Sequence, residues 1–128
     1  QWMVKNLNEF YHTEPAFYEK QVDPEGFEWI DINDWQNSVI SFKRKGHQAQ
    51  NDVYVIINFT PIVRENYQIG VPLKGYMKEV FNTDHVDFNG SGVINEGSLE
   101  TLPIPMHGKE RSVNLTLPPL GTVFLKYE

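Results

Sequence analysis

Carboxylates crowd into one stretch of this chain. Asp23, Glu25, Glu28, Asp31 and Asp34 all fall within the twelve residues DPEGFEWIDIND, 23–34. Two neighbouring carboxyl groups can share acid and base work when an apolar pocket raises the pKa of one of them. A run of them can instead hold calcium, in a loop that needs glycine at its sixth position and glutamate at its twelfth. Counted from Asp31, those positions are Gln36 and Phe42, which excludes calcium. Glu28 and Asp31 show no apolar pocket around them, so the stretch is read as a solvated turn with local side-chain to backbone hydrogen bonds.

The other reactive residue types are dispersed. His12, His47, His85 and His107 stand singly, without the spacing of a metal site, and there is no cysteine to act as nucleophile, thiolate ligand or disulfide partner. GSG at 90–92 has no following helix to complete a phosphate cradle, so its glycines are assigned to turns. No catalytic residue, metal ligand or cofactor is therefore predicted. The net charge of −6 comes from 17 acids and 11 scattered bases, which argues against nucleic acid as a partner. No run approaches the roughly 18 apolar residues of a membrane span, and Gln1 opens no signal-peptide pattern. A soluble, cytoplasmic protein is expected.

These residues must be held by elements of two kinds. Before residue 22, Met3, Leu7, Phe10 and Phe17, with Val4 and Tyr11 beside them, recur at the three-, four- and seven-residue intervals of one helical face. Pro15 interrupts that helix. The pattern is under way within four residues of Gln1 without a capping side chain, as though cut from a preceding part. From Ser38 onward the period becomes two, in six segments: SVISFKR, NDVYVIINF, NYQIGV, KGYMKEVF, RSVNLTL and GTVFLKY. Val53 to Phe59 is apolar on both faces, the mark of a central strand, whereas 113–117 alternates and has one wet face. Residues 54–72 read as a hairpin of two covered strands with Arg64, Glu65 and Asn66 at its polar tip. The fold expected is mainly β, an antiparallel β-sandwich preceded by a short α-helical segment.

Five blocks carry a more specific signal: DPEGFEWID (23–31), NSVISFKRK (37–45), NFTPIVRENYQIGVP (58–72), EVFNTD (79–84) and LTLPPLGTVFL (115–125). In this order they resemble the C-terminal end of bacterial-type 1,4-α-glucan (glycogen) branching enzymes, of the α-amylase superfamily. The resemblance runs from about Val4 to Tyr127. It departs at KGYMKEV, where a tryptophan is expected near Tyr76 or Met77, and between Val93 and Ser112. It implies that 1–22 close a catalytic (β/α)8 barrel and that 23–128 form a C-terminal β-sandwich of the α-amylase all-β type. The parent would cleave an α-1,4 linkage with retention and pass the chain to a 6-hydroxyl, which needs a carboxylate nucleophile and an acid roughly 5 Å apart. Those groups would lie on barrel strands upstream of Gln1.

The function expected of this chain is thus that of a non-catalytic domain stabilising a branching-enzyme barrel; the alternative is an autonomous carbohydrate-binding module for α-glucan. Its partners would be its own barrel and, for a monomeric parent, glycogen. Two tryptophans are candidate glucan-stacking platforms. Trp29, two residues after Phe27, has a competing packing role at the seam between helix and sandwich, and Trp35, set among Asn33, Asp34, Gln36 and Asn37, a competing role as an aromatic lid. Leu7, Phe10, Tyr11 and Phe17 are candidate interdomain contacts. Arg64 is another, because its planar fork can hold a carboxylate or paired carbonyls in fixed geometry.

Overall fold

Alternation of β-branched and aromatic residues builds eight strands, β1 (Phe27–Asp34), β2 (Val39–Arg44), β3 (Val53–Asn58), β4 (Arg64–Val71), β5 (Tyr76–Asn82), β6 (Leu99–Glu100), β7 (Arg111–Leu117) and β8 (Thr122–Tyr127). The structure, a computed structural model, describes residues 26–128. The helical pattern and the 22/23 boundary expected from the sequence lie outside these residues. Six strands form one antiparallel sheet in the order β1-β2-β3-β8-β5-β6, and β4 pairs with β7 in a second.

The main core lies between the sheets. Tyr54 and Ile56 of β3, Met77 of β5 and Val123, Leu125 and Tyr127 of β8 meet Ile69 and Val71 of β4 and Val113, Leu115 and Leu117 of β7, all buried. The large sheet is apolar on its other face too. Register places Trp29, Phe42, Val55, Phe124 and Phe81 side by side across five strands, with Trp29 and Phe42 edge to face at 5.8 Å and Phe81 and Phe124 at 5.7 Å. A strand between two such layers must be apolar on both faces, and β3 is buried at Val53, Tyr54, Val55 and Ile56.

Two expectations are corrected. Residues 27–34 are not a turn but the edge strand β1, paired with β2. Its pairing slips twice, between Trp29 and Asp31 and again between Asp31 and Asp34. Bulges of this kind break the strict alternation that identifies strands in a sequence. The local hydrogen bonding expected there is present, since the Asn33 amide donates to Asp31 Oδ1 at 2.8 Å. Nor is 54–72 a hairpin: β3 pairs with β2 and β8, and the chain then crosses to the other sheet, where β4 pairs with β7. Arg64 opens β4, and the water-facing turn is 59–63.

Candidate functional site

One end of the sandwich gathers three connections. The β1–β2 turn carries Trp35, the β3–β4 crossing carries Phe59 and Ile62, and the β7–β8 turn carries Leu120. Asn58 knits them together. Its amide nitrogen donates to the carbonyls of Ile62 at 2.8 Å and Pro118 at 2.9 Å, and its side-chain oxygen accepts from the Thr60 amide and hydroxyl at 3.0 and 2.7 Å. The Phe59 amide reaches Ser38 O at 3.0 Å, and the Leu120 amide reaches Thr60 O at 2.7 Å.

This well-bonded backbone displays apolar side chains to water: Trp35 is 83% exposed, Leu120 68%, Ile62 56% and Phe59 54%. Two of its residues also occupy the left-handed region, Ser38 at φ 54° and Leu120 at φ 49°. For a leucine that conformation costs roughly 1–2 kcal/mol. Strain and apolar exposure held on a rigid frame are expected where a surface meets something else.

Beside this end lies an open polar pocket of about 470 Å³, whose lining includes Asp31, Asp34, Arg64, Tyr67 and His107. Gly70 makes it possible. A Cβ there would lie 2.0 Å from Met106 O, so only glycine lets 106–107 cross β4 closely enough for the Gly70 amide to donate to His107 Nδ1 at 3.0 Å. With Nδ1 accepting, Nε2 is left facing Asp31 Oδ2 at 3.3 Å. The Tyr67 hydroxyl donates to Asp34 Oδ2 at 2.6 Å, and the Asn37 amide nitrogen donates to the same carboxylate at 3.1 Å. Burial alone would raise the Asp34 pKa, but the Tyr67 and Asn37 hydrogen bonds, helped by the Arg64 charge, outweigh it and hold Asp34 below the usual carboxylate range. Burial and the Asp34 carboxylate push the Tyr67 hydroxyl well above its ordinary value.

Asp34 is therefore an anion, unsuited to donate a proton in glycoside cleavage. Arg64 Nε is buried without a hydrogen-bond partner among the described residues. Arg64 and Asp34 thus share one pocket, Trp35 stands next to it in sequence, and Trp29 belongs elsewhere. Trp29, half exposed, caps the aromatic row against Phe27 at 4.9 Å and Phe42. His107 is a partly buried turn residue that lines the pocket; the close passage over Gly70 that puts it there has no local signature. Leu7, Phe10, Tyr11 and Phe17 lie outside the described residues. Among the described residues no group of three or more His, Cys, Asp or Glu could hold a metal ion, and no helix is long and apolar enough to cross a membrane.

Comparison with known proteins gives the same fold and a more definite kinship. Residues 29–128 match the alpha amylase C-terminal all-beta domain. The chain is 48% identical over 128 residues to a 1,4-alpha-glucan branching enzyme of Aquifex aeolicus, covering 100% of this chain and 20% of that protein. To that of Rubrobacter xylanophilus it is 47% identical over 124 residues, covering 97% and 17%. It thus spans about a fifth of the length of the curated relatives it matches. Among solved structures, an alpha-amylase from H. orenii superposes with a TM-score of 0.50 at 20% identity, over 93% of this chain and 18% of that one; at this identity the likeness is one of fold alone.

Proposed function

This chain belongs to the alpha amylase C-terminal all-beta domain family, and from that premise we propose that it is the non-catalytic C-terminal domain of a 1,4-α-glucan branching enzyme and stabilises the barrel that carries the chemistry. One observation carries the reading: similarity to branching enzymes extends over the whole chain, yet the chain accounts for only a fifth of them. The pocket offers no proton donor at Asp34, which three hydrogen-bond donors and a neighbouring cation keep ionised.

The barrel contact falls to the apolar end and to the segment before it. Arg64 lines the open pocket beside that end, and its planar guanidinium is suited to a carbonyl or carboxylate of the barrel. Ile62 and Leu120 supply the apolar area beside it, and Leu7, Phe10, Tyr11 and Phe17 supply the rest from outside the described residues. The parent works in the cytoplasm as a monomer. A second reading, glucan binding by this domain itself, is favoured by one observation, the exposure of Trp35, and less by Trp29, whose ring is committed to the aromatic row.

The test is direct. The 128-residue chain, incubated with amylose, leaves iodine staining at the level of a heat-killed control and forms no α-1,6 branch. Sustained loss of staining by the chain alone overturns the non-catalytic assignment.

A further inference from the structure

We propose that the outer face of the large sheet is the seat of the chain's own first segment, with Met3, Leu7 and Phe10 packed across its aromatic row. The inference rests on the reading that residues 1–22 close the catalytic barrel, and it adds the surface by which that barrel is fastened to the sandwich. The residues of the segment lie outside the described ones; the face that receives them does not.

A core is closed only when apolar layers meet from both sides. The inner face of the large sheet meets β4 and β7, which are committed there. On the outer face Val53 and Val55 form a second, smaller core with Phe42, Ile57 and Phe124 packed against them, and the register extends it to Trp29 on β1 and Phe81 on β5. The row from Trp29 through Phe42, Val55 and Phe124 to Phe81 crosses five strands, so four spacings make it about 19 Å long. This layer calls for a second one.

Three observations choose the occupant. Phe27 stacks on Phe42 with ring centres 5.1 Å apart, so the segment before it enters β1 on this same face. The apolar stripe of that segment has the right length, because twelve helical residues, 3–14, end at Pro15 and measure about 18 Å. Charge completes the match. The row next to the aromatic one is basic, with Arg44, Lys126 and Lys78 brought abreast by the register, whereas residues 1–25 carry five carboxylates, Glu9, Glu14, Glu19, Asp23 and Glu25, against Lys5 and Lys20. Opposite charges face each other. The apolar end of the sandwich lacks this match, since Asp31 and Asp34 stand beside it. A second copy of the chain would have to displace a segment tethered next to the face, at an effective concentration of order millimolar for a short flexible link.

The experiment is nuclear Overhauser spectroscopy of the isotopically labelled 128-residue chain, with amide hydrogen exchange as the second readout. Contacts are expected from the Leu7 methyls and the Phe10 ring to Phe42, Val55 and Phe124. Leu7→Asp combined with Phe10→Asp, with thermal melting confirming that the sandwich folds, is expected to speed exchange of the 3–14 amides by at least about a hundredfold, as the loss of two buried apolar side chains requires. Arg44→Glu combined with Lys126→Glu is expected to speed it by about fivefold, and by less at high salt. Contacts from Leu7 and Phe10 to Phe59, Ile62 or Leu120 would overturn the seat while leaving barrel stabilisation intact. Unprotected 3–14 amides in the native chain, or protection that grows with protein concentration, would overturn it as well. Charge reversal without effect would overturn the match on which the choice of occupant rests. The expected contacts, in a domain whose removal leaves the barrel equally stable, would keep the seat and overturn the barrel reading.

Discussion

The interior of the sandwich and its loop end obey opposite rules within a few residues of each other. Along β3 the chain buries four consecutive side chains, with Tyr54 and Ile56 facing one layer and Val53 and Val55 the other. Immediately afterward Asn58, itself buried, turns the chain outward, and Phe59 and Ile62 stand more than half exposed. In the interior, apolar burial generates order. At the loop end, order comes from polar groups inside, which hold apolar groups outside against their own preference.

The largest effect should come from the interior. Ile56→Ala deletes side-chain volume from the centre of the core and is expected to cost about 4 kcal/mol, read from denaturant midpoints. A cost below that of any loop-end variant would erase the distinction between the regions. Next comes Asn58→Ala. It strips partners from the Thr60 amide and hydroxyl and from the carbonyls of Ile62 and Pro118, and the loss is expected at about 2–3 kcal/mol. Hydrogen exchange should locate it in 59–63 and 118–121 rather than in β3.

The third effect depends on pH. Asp34 has a folded pKa below its unfolded one, so its contribution is present above the unfolded value of about 3.9 and is lost as pH falls through the folded value. Unfolding midpoints should therefore drop steeply below pH ~4 in the native chain and less steeply in Asp34→Asn. An unchanged acid limb would show that the Tyr67 and Asn37 bonds do not hold the carboxylate as described. The smallest effect has the opposite sign. Leu120→Gly relieves a left-handed leucine and is expected to stabilise the isolated chain by about 0.5 kcal/mol, after the entropy cost of glycine. In the full-length parent the same change should weaken the barrel contact.

What could be read from sequence follows the same division. The six segments with a period of two correspond to β2, β3, β4, β5, β7 and β8, because alternation records burial on a pleated surface directly. β1 escaped because its two bulges and alternate acids scramble the alternation. Pairing escaped as well: nothing in YVIINFTPIVRENYQIGVP tells a hairpin from a crossing between sheets, since both need a turn and two covered strands. Trp35 was legible as an oddity, a large aromatic among amides and carboxylates. The pocket was not, since Gly70, His107 and Asp31 meet only through a close passage of backbone over backbone. Arg64 was legible as a fork-shaped donor, though not as a neighbour of Asp34.

The central claim is that this domain holds a catalytic barrel steady without taking part in its chemistry. Calorimetry of the full-length branching enzyme, intact and with these 128 residues removed, tests it most directly. The account predicts that the barrel alone melts several degrees lower, and that Arg64→Ala in the intact enzyme moves the barrel transition part of the way. A barrel that melts at the same temperature and branches amylose at the same rate without this domain would contradict it.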